Sequence, residues 1–167
     1  MSSSASAISP RGLARWRAPS VSQENVQVLR EGLAAINSGE IERILAFVAA
    51  DFVAIVPEEL SAEPDTYRGH GGIRRYFETF QEAMDDINFE GVRFWDAGEQ
   101  VVVSVRLTAR GKQTAIPVEQ RAALVWTVLD GRATAVRAFA SLSQALASVG
   151  LEEQPAGAGG AAGGSAE

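Results

Sequence analysis

Val125-Trp-Thr-Val-Leu-Asp-Gly-Arg-Ala133 is the stretch that decides how this chain folds. β-Branched and aromatic residues stand on either side of Asp130-Gly131. A two-residue Asp-Gly loop has the twist that antiparallel strands need, so a tight hairpin follows. Working outward, strands are expected at about 88–96, 100–110, 116–129 and 132–140. Asp96-Ala-Gly98 and Gly111-Lys-Gln113 supply the other two turns. If Leu129 faces Arg132, then Thr127 pairs with Thr134 and Val125 with Val136.

Three helical patterns precede these strands. Ser22 is a candidate N-cap with Val21 before it. Val26, Leu29, Leu33 and Ile36 then form one apolar stripe, ended by Asn37-Ser-Gly39. A second, short helix from Glu40 presents Ile41, Ile44, Leu45 and Val48. Asp51 to Val56 is rich in β-formers and stops at Pro57, which cannot continue a ladder. Glu58 to Thr66 is a polar loop. Gly71-Gly72 opens a third helix carrying Ile73, Phe77, Phe80, Met84 and Ile87. Helices first and a strand meander last predict an α+β fold, a cone-shaped curved antiparallel sheet with three helices on its concave face.

Composition excludes several kinds of chemistry. With no cysteine among the 167 residues, disulfides, thiolate nucleophiles and zinc–thiolate sites are out. The single histidine, His70, cannot form a histidine cluster for a metal. A net charge of −6 argues against nucleic acid, and no apolar run approaches the roughly 20 residues of a membrane span. No cofactor is expected, and the cytoplasm is the expected location. Residues 1–20 are Ser- and Arg-rich without acids and are expected to form a disordered tail. The Gly/Ala-rich residues 152–167 are expected to form another, leaving 21–151 as the domain.

Alternation places Glu119, Arg121, Ala123, Val125 and Thr127 on one face of their strand, with Thr134, Val136 and Ala138 across from them. The other face holds Gln120, Ala122, Leu124 and Trp126, with Arg137 and Phe139. Helices cover only one face. The first is assigned to the helices and a pocket, the second to a partner subunit, because exposed Leu124, Trp126 and Phe139 would make an apolar patch. Glu119 then becomes the candidate general acid or base, its pKa raised by desolvation. The plainer alternative is an ion pair with Arg106 or Arg121. Either arginine could hold an anionic oxygen. His70 is expected to be solvated or capping at the start of the third helix.

The words Ser22-Gln-Glu-Asn-Val, Ile36-Asn-Ser-Gly-Glu-Ile41, Ala50-Asp-Phe, Tyr67-Arg-Gly-His-Gly-Gly-Ile-Arg-Arg75, Asp96-Ala-Gly and Val125-Trp-Thr-Val-Leu-Asp-Gly131 resemble the SnoaL-like branch of the nuclear-transport-factor-2-like superfamily. The resemblance implies a homodimeric α+β cone with a pocket between helices and sheet. Its members include polyketide cyclases, ketosteroid isomerases, scytalone dehydratases and epoxide hydrolases. The isomerase roles would fall on Val56, Ala123 and Gly32, which cannot perform them. Arg106-Leu-Thr108 keeps the arginine of the epoxide hydrolases without its acid, and their second acid falls near Ala138. One histidine cannot supply the dehydratase pair. Val56, Tyr67, Phe80, Arg106, Ala123, Val136 and Ala138 are the expected ligand contacts. The function expected is binding of a small hydrophobic or polyketide-like molecule, with proton-transfer isomerisation, cyclisation or dehydration by Glu119 and Arg121 as its chemistry. The alternative is a non-catalytic binding or dimerisation module.

Overall fold

The computed structural model describes residues 10–61 and 65–152, with side chains from Gln23 onward. Helix α1 (Pro10–Ser38) leads to α2 (Ile41–Phe47), strands β1 (Val48–Val56) and β2 (Asp65–Arg68), and helix α3 (Gly69–Ala83). Strands β3 (Met84–Ala97), β4 (Gln100–Gly111), β5 (Pro117–Leu129) and β6 (Arg132–Phe139) follow, then helix α4 (Leu142–Ser148). The strands make one curved, unclosed sheet in the order β2-β1-β6-β5-β4-β3. The expected α+β class therefore holds, with β1 and β6 as the parallel pair in an otherwise antiparallel sheet.

The Asp-Gly hairpin forms as its sequence requires. Asp130 and Gly131 both take positive φ, 53° and 79°, the pair of values that a type I′ turn demands. Leu129 faces Arg132, and Val128 faces Ala133. The register then slips by one between Val128 and Thr127, so Trp126 faces Val136 and not Ala135. A bulge at Thr134 absorbs the extra residue.

Several boundaries differ from expectation. Helix α1 begins at Pro10, so Ser22 lies inside it, and helical backbone covers part of the segment expected to be a tail. Proline suits the first helical position because its missing N–H has no helical partner there. The remaining tail residues, 1–9 and 153–167, lie outside the described residues. Val48 starts β1, and Met84 and Ile87 belong to β3. Within the loop expected at Glu58 to Thr66, Asp65 pairs with Val56 and Thr66 with Ile55 to open β2. A four-residue strand has no periodicity of its own; pairing with β1 makes it.

The core lies between α1–α3 and one sheet face. Leu29, Leu33 and Ile36 of α1 and Ile44 and Leu45 of α2 pack with Val101, Val103, Val105, Trp126 and Val128. Trp126 is only 5% exposed, flanked by the rings of Phe47 and Phe52 at 5.5 and 6.1 Å. This overturns the expected facing of β5. The large side chains Leu124, Trp126 and Val128 turn toward the helices because that face buries the most apolar area. On the opposite face α4 covers Val102, Ala123 and Val125 with Ala145 and Leu146, and farther along the same face Glu90, Arg106, Glu119 and Arg121 form ion pairs. The exposed patch on which a partner subunit was inferred is thus not exposed.

Candidate functional site

A cavity of about 120 Å³ lies between α1–α3 and the inward sheet face. The alternation of β5 points Gln120, Ala122, Leu124 and Trp126 into it, and the shifted register brings Val136 and Ala138 beside them. Helices α2 and α3 contribute Ile44, Phe47, Ile73, Tyr76 and Phe77. These come from i, i+3 and i+4 spacings, which put side chains on one helix face. Ile55, 41% exposed, is the most exposed of the lining residues.

Among the lining residues none is an acid, an arginine, a lysine or a histidine. The polar groups in the wall belong to Gln120, Tyr67, Tyr76 and Trp126. The Gln120 amide donates weakly to the Leu60 carbonyl at 3.4 Å. Burial pushes the Tyr76 hydroxyl up to about 12, with the neighbouring Tyr67 adding to the shift. Tyr76 therefore keeps its proton at any physiological pH and can donate a hydrogen bond, but it cannot act as a base. The Trp126 indole N–H is buried and lacks a hydrogen-bond partner among the described residues.

Of the residues expected to contact a ligand, Val56, Tyr67, Val136 and Ala138 line the cavity. Val136 and Ala138 do so through two compensating differences: β5 is turned over, and the bulge turns over most of β6 relative to it. Phe80 does not line it; its ring packs at a tilt on Tyr76 and edge-on to Phe89, with centroids 6.1 and 6.2 Å away. Ala123 is buried beneath α4 on the opposite face.

Glu119, Arg121 and Arg106 also lie on that opposite face. Arg106 holds Glu90 through Nε and Nη2 at 3.1 and 3.0 Å, and reaches Glu119 through Nη1 at 3.4 Å. Hydrogen bonds to Glu90 first, then Glu119, raise the Arg106 pKa. Arg121 lies 3.8 Å from Glu119. Glu119 is half exposed and points away from the cavity. The ion pair, the plainer of the two sequence readings, is what forms.

His70 sits in the first turn of α3, its Nε2 3.1 Å from the Val48 carbonyl, tying α3 to the start of β1. Among the wall residues that sequence reasoning did not assign to a ligand site are Phe47, Tyr76, Gln120 and Trp126. Tyr76 was visible as the position three after Ile73, and the two on β5 depended on which face was buried.

A second, shallower cleft of about 380 Å³ lies where α1 and α3 end, bordered by Asn37, Gln81 and an Asp85–Lys112 pair at 3.4 Å. It is larger but more open, and its charged groups already have partners. Among the described residues no group of acids and histidines could hold a metal, and no helix is long and apolar enough to cross a membrane.

Residues 29–136 match the SnoaL-like domain, and the chain belongs to that family. An NTF2-like protein from Burkholderia xenovorans LB400 is 30% identical, with a TM-score of 0.61 over 71% of this chain and 89% of its own. Two further structures share the fold. TerC, co-crystallised with polyporic acid, is 21% identical with a TM-score of 0.63 over 70% of this chain and 90% of its own. The epoxide hydrolase/cyclase-like enzyme SalBIII, of pyran ring formation in salinomycin, is 19% identical with a TM-score of 0.61 over the same 70% and 90%. No curated protein matches the chain.

Proposed function

We propose that the protein binds a small, mainly apolar molecule of about one ring in the cavity between its helices and sheet. One observation carries this reading: the wall is aliphatic and aromatic, with an amide and two phenols as its hydrogen-bonding side chains besides the indole. An apolar cavity of roughly 150 Å³ accepts benzene, so about 120 Å³ suits one ring and excludes a fused polyketide skeleton without rearrangement. Gln120, Tyr67 and Tyr76 would orient a carbonyl or hydroxyl on the ring.

Binding is favoured over proton-transfer catalysis because no carboxylate or imidazole lines the wall. Tyr76 could polarise a bound carbonyl, which limits any chemistry to reactions that need no protein base. The protein would act in the cytoplasm as a homodimer. A dimer would form through the sheet face that α4 leaves uncovered, where Glu90 and Glu119 alternate with Arg106 and Arg121. Charges of both signs on one patch allow a two-fold-related copy to complement it.

Thermal unfolding with benzene, phenol and anthracene tests the cavity reading. Benzene and phenol should raise the midpoint and perturb Trp126 emission, while anthracene should do neither. Failure of both one-ring compounds to shift the midpoint would sink it. A light-scattering mass equal to one chain would sink the dimer alone.

A further inference from the structure

We infer that Phe47 is a plug that sets how long a molecule the cavity accepts, and that Gly32 is the notch in which the plug sits. The inference rests on the cavity being a ligand site, and its test separates the two. Phe47 is the last residue of α2, and its ring forms part of the cavity wall. The tip of that ring lies directly on the backbone of α1. A methyl group added at Gly32 would overlap Phe47 Cζ, Cε1 and Cε2.

Glycine in the middle of a long helix weakens it, so a glycine there calls for a reason, and close approach of another group is one. Gly32 is buried on the α1 side, between Leu29 and Leu33, which belong to the core stripe. Its missing side chain is the space the ring fills. On its other side Phe47 meets the cavity and the Trp126 ring, 5.5 Å away between centroids. One rotatable aromatic side chain therefore separates the present cavity from a recess reaching to the backbone of α1.

Two opposite substitutions follow. Removing the ring joins the recess to the cavity and makes room for a second ring. Adding a methyl at Gly32 drives the ring out of its notch, and the space it can swing into is the cavity. Size selection would then depend on two residues that make no polar contact with a ligand.

The test is calorimetric titration of benzene and naphthalene into wild type, Phe47→Ala, the milder Phe47→Leu, and Gly32→Ala, with circular dichroism to confirm folding. Wild type should bind benzene and not naphthalene. Phe47→Ala, or Phe47→Leu if the alanine variant does not fold, should gain naphthalene by about tenfold or more over wild type. Gly32→Ala should lose benzene. If wild type binds benzene while folded Phe47 variants gain no naphthalene, the plug is wrong and the cavity reading stands. If wild type binds neither compound, both fall.

Discussion

Asn37 pairs with the backbone of Phe89 as a neighbouring strand would. Its amide nitrogen donates to the Phe89 carbonyl at 2.9 Å, and its amide oxygen accepts the Phe89 N–H at 2.7 Å. Phe89 lies on β3, the strand at one edge of the sheet, and its ring lines the cavity. Asn37 follows Ile36, another wall residue, so the pair fixes the distance between two cavity walls. Asn37→Ala removes both bonds but leaves groups that water can reach, so it should cost about 1–2 kcal/mol in urea unfolding. It should also weaken benzene binding, because the Phe89 wall is no longer held. Asn37→Asp should destabilise as well, since it keeps the acceptor and loses the donor.

Glu119→Gln separates the two faces of the sheet functionally. The carboxylate pairs with Arg106 and Arg121 away from the cavity, and Arg106 keeps Glu90 as its closer partner. Exposed pairs of this kind contribute little. The variant should match wild type in ligand affinity and nearly match it in unfolding midpoint. A large loss of affinity in titration would mean that Glu119 reaches the ligand after all.

What was legible in the sequence was whatever one segment decides by itself. Asp130-Gly131 specifies its turn because only a pair tolerant of positive φ can form it, and Leu29, Leu33 and Ile36 mark the buried side of α1 by spacing alone. The facing of β5 was not legible in the same way. Ala123 and Val125 are as apolar as Ala122 and Leu124, so alternation does not distinguish in from out. The face of Ala123 and Val125 is covered by α4, seven residues with Ala145 and Leu146 fully buried, too short to announce itself by periodicity. The bulge at Thr134 was equally hidden, because a one-residue slip leaves both patterns apolar. Hence the family and helical layer could be read, while Glu119 and Ala123 were put on the wrong side.

Gln120 is the wall residue best placed to choose between ligands of one size. Its amide sits among aliphatic neighbours and, among the described residues, makes one long bond, to Leu60, so part of its hydrogen-bonding capacity is open to a ligand. Gln120→Leu keeps the volume and removes the amide. Phenol should then bind about tenfold more weakly relative to benzene than in wild type, the worth of one hydrogen bond. Paired calorimetric titrations of the two compounds check this. An unchanged ratio would take Gln120 out of recognition.

Tyr76 makes the stability of the protein fall in alkali. Its ordinary pKa is 10, and burial lifts it to about 12 in the folded chain, with Tyr67 contributing second. A raised pKa means that the folded state holds its proton where the unfolded state has released it. The contribution is complete below pH 10 and is lost as pH climbs from about 10 to 12. A shift of this size is worth up to about 3 kcal/mol over that interval. Tyr76→Phe has no proton to lose, so its urea midpoint should decline less than that of wild type between pH 8 and pH 11. The phenylalanine ring preserves the contacts with Phe77 and Phe80, which keeps packing out of the comparison. Parallel slopes for the two proteins would show that the Tyr76 hydroxyl is solvated and not part of a dry wall.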